Sequence, residues 1–160
     1  MFPLPEKSLH PNEPYGYSID AFNSEFSNFE YEDNGRRPNI IIIMNESFTD
    51  VTVYNDFYQD SFADPLPFFH SLADDTEHAR VGYAYSSVTG GGTSISEFEM
   101  LTGITDAYLP PNASPYMLYV RRNTYSIPWA LKSLGYDTIA MHPYDSSGWN
   151  RINAYPYMGF

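Results

Sequence analysis

The sequence lacks cysteine, has few basic residues and contains no long apolar run, and each absence excludes a class of protein. Without cysteine the chain can form no disulfide, no thiolate metal site and no cysteine nucleophile. Lys and Arg number 8 against 20 Asp and Glu, a formal net charge of −12. Such a chain is not expected to bind a nucleic-acid backbone or to be held on anionic lipid by charge. The longest aliphatic run, residues 40–44, is too short to span a bilayer.

Aromatic residues are abundant and favour a folded chain. They make up 18% of the 160 residues, with 15 Tyr and 11 Phe, which argues against disorder. The length suits one domain with a real core. The N-terminal segment carries proline and acidic residues where a signal peptide needs a basic start and an apolar stretch. We therefore expect a chain that is soluble as given, with no export signal of its own.

The order of predicted elements indicates a layered α/β fold. Residues 1–37 are rich in proline and read as a linker or extended arm, with a short helix near residues 19–29. The β-branched run at 39–44 predicts a central strand of a parallel sheet. Further predicted strands are 79–87 and 136–141, and predicted helices are 65–73, 94–102 and 126–134, with 105–125 as a loop. The fold class is therefore a mostly parallel sheet flanked by helices.

Three places along the chain hold residue types that could carry chemistry. The first is Glu46, directly after the predicted central strand, at the edge of the sheet where α/β proteins place ligands. A carboxylate there suits a divalent cation. The alternative is a solvated loop glutamate or a helix cap.

The second place is Thr93, which follows three consecutive glycines and precedes a predicted helix. Glycines let the backbone approach a ligand closely, and a helix N-terminus favours an anion. A hydroxyl there could attack phosphorus. The alternative is an ordinary turn, with Thr93 or Ser94 as the helix cap and Ser94–Glu97 as a capping box.

The third place comprises His142, Trp149 and Arg151, which follow the last predicted strand. Arginine binds phosphate through two parallel hydrogen bonds. Tryptophan could pack on a glycerol or sugar face. The alternative is a hydrogen-bonded histidine and a surface cation–π pair.

Taken together, these places resemble the lipoteichoic acid synthase family, phosphoglycerol transferases of the sulfatase and alkaline-phosphatase superfamily. The resemblance rests on three blocks in order: PNIIIIMNESFTD at 38–50, GGGTSISEFEMLTG at 90–103 and MHPYDSSGWNR at 141–151. It covers roughly residues 38–160, which we interpret as the N-terminal portion of a catalytic domain.

The resemblance implies a site and a reaction. Thr93 matches the nucleophile, and Glu46 and Thr93 match ligands of Mn²⁺ or Mg²⁺. His142, Trp149 and Arg151 match the residues that hold glycerol phosphate. The threonine of such an enzyme attacks phosphatidylglycerol, and the glycerophosphoryl group then passes to a growing polyglycerolphosphate (lipoteichoic acid-type) polymer. The implied location is the extracellular face of the cell membrane, reached through segments absent from this chain.

The sequence also departs from this pattern, which leaves other functions open. The family supplies an Asp-His pair to the metal from beyond the third block, and the chain ends before such a pair. The third block has Tyr144 where variants carry an acid, so Asp145 is a doubtful substrate contact. The alternatives are a non-catalytic module that binds phosphoglycerol, or another hydrolase or phosphoethanolamine transferase of the superfamily. Part of the sheet is expected to be missing, with apolar faces left exposed.

Overall fold

In the computed structural model, the described residues are 15–16, 18–26, 34–53, 63–88, 90–111 and 113–160. The chain divides into two compact units. The first comprises Met1–Ile41 and Ser86–Phe160, and the second comprises Ile42–Tyr85. Six α-helices lie within the described residues: α1 (Ile19–Phe26), α2 (Pro67–Ser71), α3 (Thr93–Thr102), α4 (Pro115–Leu118), α5 (Ile127–Ser133) and α6 (Arg151–Tyr157). Short 3-10 turns lie at Val51–Val53, Asp106–Tyr108 and Gly148–Asn150.

Helix α3 begins and ends at glycines, as the sequence predicted for its end. Gly103 follows its last residue with φ 72°, the left-handed conformation that commonly terminates a helix. Gly92 is its N-cap, and no side chain caps the helix. The predicted capping box is therefore wrong, because Ser94 lies inside the first turn and Glu97 accepts a hydrogen bond from Tyr155 instead.

The core of the first unit forms around Tyr116 of α4, whose side chain is fully buried. Its ring meets Phe98 of α3 edge-on, with centroids 6.4 Å apart, and meets Tyr155 of α6 in the same manner at 6.2 Å. Buried residues of the same cluster are Leu101, Val120, Ala154 and Met158. Helix α4 thus joins α3 to α6 through one aromatic side chain.

Two of the core helices were not predicted. The sequence predicted a loop at 105–125, where α4 lies, and no helix in the region of α6. Helix α4 has only four residues and α6 carries Pro156 inside it, so neither shows helical periodicity. Helices this short are unstable alone, and packing against neighbours stabilises them.

Helix α5 follows its prediction closely. Ser126 is the N-cap and its side chain accepts from the backbone N–H of Trp129, while Pro128 lies in the first turn. The Ser126 hydroxyl also donates to the carbonyl of Met158 at 2.5 Å, and the Trp129 indole donates to the carbonyl of Tyr157 at 3.0 Å. These two bonds attach the C-terminal turn to α5.

The second unit is organised around His70 of α2. Its Nδ1 lies 2.8 Å from Asp64 Oδ1 and its Nε2 lies 2.9 Å from Asp50 Oδ2. Both hydrogen bonds favour the charged imidazolium and raise the pKa of His70, the bond to Asp50 contributing most. Hydrogen bonds from Thr52 and then His70 lower the pKa of Asp50 to about 2. His70 thereby links Asp64, just before α2, to Asp50, two residues after Phe48.

The predicted sheet remains a prediction. No strand is present among the described residues, and the three segments predicted as strands are neither helical nor paired. Their apolar side chains are exposed, with Ile41 at 83%, Ile43 at 81% and Ile139 at 78%. The helices near 19–26, 67–71, 93–102 and 127–133 are confirmed. The sequence also predicts an acidic surface loop at 50–64, of which residues 54–62 lie outside the described residues.

Replacing Tyr116 tests whether its ring holds the core. Tyr116→Ala removes the ring between Phe98 and Tyr155, and we expect a loss of about 3–5 kcal/mol in the free energy of unfolding. The Tyr116 hydroxyl is buried near the Glu97 carboxylate without the geometry of a hydrogen bond. Tyr116→Phe should therefore cost less than about 1 kcal/mol or be stabilising. Denaturant unfolding of both variants measures this, and equal losses would contradict it.

The His70 cluster predicts a measurable titration. We expect the His70 imidazole, followed by NMR, to titrate above pH 6.5, and Asp64→Asn to lower its pKa because one partner loses its charge. The raised pKa of His70 stabilises the folded state below pH 6.5, and this stabilisation is lost as the pH rises through the folded-state pKa. The lowered pKa of Asp50 stabilises the folded state above pH 3.8, and that stabilisation is lost as the pH falls through the folded-state pKa of about 2. Asp75→Asn is the control, since Asp75 bonds His78 instead. An unchanged His70 pKa in Asp64→Asn would contradict the assignment.

Candidate active site

Thr93 is the first residue of α3 and follows a loop that only glycine suits. Gly90 and Gly91 have φ values of 67° and 77°, which favour glycine. A Cβ atom at Gly92 would overlap Cγ1 of Val88. The half-buried Thr93 therefore lies at the positive end of the helix dipole, where an anion is favoured.

A cleft of about 480 Å³ lies in the first unit, on the face formed by the start of α6 and the segment before it. Two of the predicted substrate residues, His142 and Arg151, line it together. The third, Trp149, lies outside the lining. The other lining residues are Thr138, Ile139, Ala140, Tyr144, Ser146, Ile152, Tyr155, Pro156 and Phe160.

Arg151 is a buried cation without a carboxylate partner. Its side chain is only 6% exposed, its Nη1 donates to the carbonyl of Gly148 at 3.0 Å, and its Nε has no hydrogen-bond partner. No Asp or Glu of the described ranges forms an ion pair with it. Buried charges are normally paired because desolvation is costly. An anion in the cleft would supply the missing partner.

A left-handed turn separates Trp149 from Arg151. Trp149 and Asn150 have φ values of 53° and 61°, unusual for residues other than glycine. The Asn150 amide donates to the carbonyl of Tyr116 at 2.8 Å, which attaches the turn to α4. Trp149 consequently remains 46% exposed while Arg151, two positions later, is buried.

His142 has a defined tautomer when neutral. Its Nδ1 accepts from the backbone N–H of Tyr144 at 3.0 Å. The proton of the neutral ring is therefore on Nε2, which can donate to an oxygen of a ligand. Asp145, the doubtful contact, instead accepts from the amide and hydroxyl of Ser147 at 2.7 and 2.6 Å. These bonds lower the pKa of Asp145 and shape the loop.

Glu46 belongs to the second unit, whereas the other predicted site residues belong to the first. It is exposed in a tight turn in which Ser47 has φ 59° and the amide of Phe48 donates to the carbonyl of Asn45. Within the described ranges no group of three His, Asp or Glu side chains could hold a metal ion. Glu46 and Thr93 alone supply too few oxygen ligands for Mg²⁺. These residues do not fit a complete cation site, and no chemical step is assigned to one.

The sequence analysis missed Tyr155, which lines the cleft and also reaches α3. Its hydroxyl donates to Oε1 of Glu97 at 2.7 Å. Burial, followed by the bond to Glu97, raises the pKa of Tyr155. The available signal was its spacing of four from Arg151, but without a predicted α6 that spacing had no meaning.

Comparison with known proteins gives one family and one relative. The sequence profile of the Sulfatase family matches residues 38–160. A protein of Rhizobium meliloti (strain 1021), named for cyclic beta-1,2-glucan modification, is 34% identical over 124 residues. The match covers 78% of this chain but 18% of that relative. No solved structure matches the chain.

None of the helices in the described part of the chain is both long and apolar enough to cross a membrane. Because the family profile covers more than half of the sequence, the chain belongs to the sulfatase family.

Proposed function

We propose that the protein containing this chain is a phosphoglycerol transferase. In the proposed reaction the Thr93 hydroxyl attacks the phosphorus of a phosphatidylglycerol-type lipid. A bond forms between Thr93 Oγ1 and phosphorus, the bond from phosphorus to the diacylglycerol oxygen breaks, and the threonine proton ends on diacylglycerol. An acceptor hydroxyl then attacks the glycerophosphoryl-threonine, which releases Thr93 and extends the acceptor.

The buried guanidinium of Arg151, which forms no ion pair with an Asp or Glu of the described residues, carries this proposal. It lines the cleft with Nε unsatisfied, and a phosphodiester offers the negative charge and acceptor oxygens it lacks. His142 can donate a second hydrogen bond from Nε2 on the same wall. Donors held in place before the reaction stabilise charge that develops on phosphate oxygens. The apolar lining from Ile139, Ile152 and Phe160 suits a glycerol carbon chain.

The acceptor separates two versions of the proposal. The three sequence blocks resemble the lipoteichoic acid synthase family, which favours a polyglycerolphosphate hydroxyl. The relative named for cyclic beta-1,2-glucan modification favours a glucan hydroxyl. The chain spans only 18% of that relative's length. We therefore propose the donor and the acceptor for the whole protein, and likewise the use of Mn²⁺ or Mg²⁺ and the location at the outer face of a membrane.

Trapping the intermediate tests the nucleophile. When the intact protein is mixed with phosphatidylglycerol labelled in its headgroup, we expect a glycerophosphoryl group on the peptide containing Thr93, detected by mass spectrometry. Thr93→Ala should abolish both adduct and turnover, and Thr93→Ser should retain the adduct because a hydroxyl remains. Thr102→Ala, at the other end of α3, is the control and should form the adduct.

The same assay identifies the donor lipid and distinguishes phosphoglycerol transfer from the alternative functions. Labelling by phosphatidylethanolamine instead would indicate a phosphoethanolamine transferase. Release of free glycerol phosphate without an acceptor would indicate a hydrolase. Phosphoglycerol binding with no adduct would indicate a non-catalytic module. Polyglycerolphosphate and cyclic glucan, added separately, identify the acceptor.

Replacing Arg151 tests the anion site. We expect inorganic phosphate to raise the melting temperature of the intact protein and to lose this effect in Arg151→Met, because ligand binding stabilises the folded state. Without phosphate, Arg151→Met should be neutral or stabilising, since a buried unpaired charge is replaced by an apolar chain of similar length. Arg121→Met is the matched control, because Arg121 is exposed and bonds only carbonyls of α4. A phosphate effect that persists in Arg151→Met would contradict the site.

A further inference from the structure

Thr93 is the first residue of α3 and Arg151 is the first residue of α6, and a side-chain hydrogen bond connects these two helices. Glu97 follows Thr93 by four residues on α3, and Tyr155 follows Arg151 by four on α6. Residues four apart lie on one face of a helix, about 6 Å apart along the axis at 1.5 Å per residue. The Tyr155 hydroxyl donates to Glu97 Oε1 at 2.7 Å. The hydrogen bond that connects the helices therefore lies about one helical turn after Thr93 in α3 and about one turn after Arg151 in α6.

The ring contacts that Tyr116 makes with these two helices are apolar and less directional. Tyr116 of α4 packs edge-on against Phe98 and Tyr155, and these ring contacts hold the two helices together. Ring contacts tolerate sliding over a range of centroid distances, whereas a hydrogen bond to a carboxylate requires one short distance. The hydrogen bond between Tyr155 and Glu97 therefore restricts the register of α3 against α6 more tightly than the ring contacts do.

Both partners have side chains placed for this contact. Glu97 does not cap α3, and its Oε1 accepts the partly buried Tyr155 hydroxyl. Tyr155 lines the cleft beside Arg151, and its ring also contacts Phe160 at 5.4 Å. A shift of this side chain would change both the cleft wall and the position of α3.

We propose that the hydrogen bond between Tyr155 and Glu97 is a positioning contact that sets the Thr93 nucleophile against the phosphate held by Arg151. The proposal rests on the proposed function. Neither residue reacts with the substrate. Each acts through its helix, so the bond governs how closely the threonine oxygen approaches phosphorus. Misplacement of a reacting atom by about 1 Å can cost about a hundredfold in rate.

The test uses three single variants of the intact protein with phosphatidylglycerol as donor. Tyr155→Phe removes only the donor hydroxyl and keeps the ring. Glu97→Gln keeps an acceptor oxygen at the same place, so it is the conservative variant. Tyr157→Phe makes the same change on the same helix, where Tyr157 forms its hydrogen bonds through its backbone carbonyl.

Kinetics distinguish positioning from a general loss of structure. We expect Tyr155→Phe to lower kcat at least tenfold with KM changed less than threefold, because donor binding through Arg151 is retained while the approach of Thr93 is impaired. Glu97→Gln should remain within about threefold of wild-type kcat, and Tyr157→Phe within about twofold. A wild-type kcat in Tyr155→Phe overturns the proposal, as does an equal loss in Tyr157→Phe or in Glu97→Gln.

Hydrogen exchange supplies a readout that needs no activity. Tyr155→Phe should raise the exchange rates of amides in α3 and α6 and leave those of α5 unchanged, because the lost bond joins only the first pair. Unchanged exchange in α3 and α6 overturns the proposal even if activity falls. If the wild-type protein transfers no phosphoglycerol while exchange does rise, the proposed function is wrong and the bond is only a structural link.

Discussion

Burial of the Tyr116 side chain is the constraint on which the first unit depends. The helices around it are short, with four residues in α4 and seven in α6, and helices of this length are not stable alone in water. One fully buried ring contacts both α3 and α6. The start of α3, which carries Thr93, and the start of α6, which carries Arg151, are thereby parts of one packed unit.

Two of the buried polar groups without hydrogen-bond partners in the described part of this unit belong to, or adjoin, residues that the proposed reaction uses. Arg151 Nε and the hydroxyl of Ser94, next to Thr93, are both buried without hydrogen-bond partners. Such groups cost folding free energy, of the order of 1–3 kcal/mol for each neutral one. The consecutive left-handed residues Trp149 and Asn150 add backbone strain beside Arg151. A bound anion would offset the cost at Arg151.

The second unit has a different basis for its local order. A histidine between two carboxylates holds α2 to the preceding turn, and Phe48 packs against Phe69 with ring centroids 5.2 Å apart. Glu46, the predicted metal ligand, lies in the same unit, in the tight turn that precedes Phe48. The oxygen ligands that a divalent cation requires are incomplete in the described part of the chain.

The sequence by itself determined the family, the helices with clear local signals and the identity of the candidate residues. Gly103 ends α3 and Ser126 begins α5 because helix caps and glycine stops depend on neighbouring residues alone. Only the tertiary structure decided that α4 and α6 are helical, that Trp149 does not line the cleft with Arg151, and that Glu97 bonds Tyr155 across 58 residues. Those features come from packing around Tyr116 and from contacts between segments distant in the chain, which no local pattern encodes.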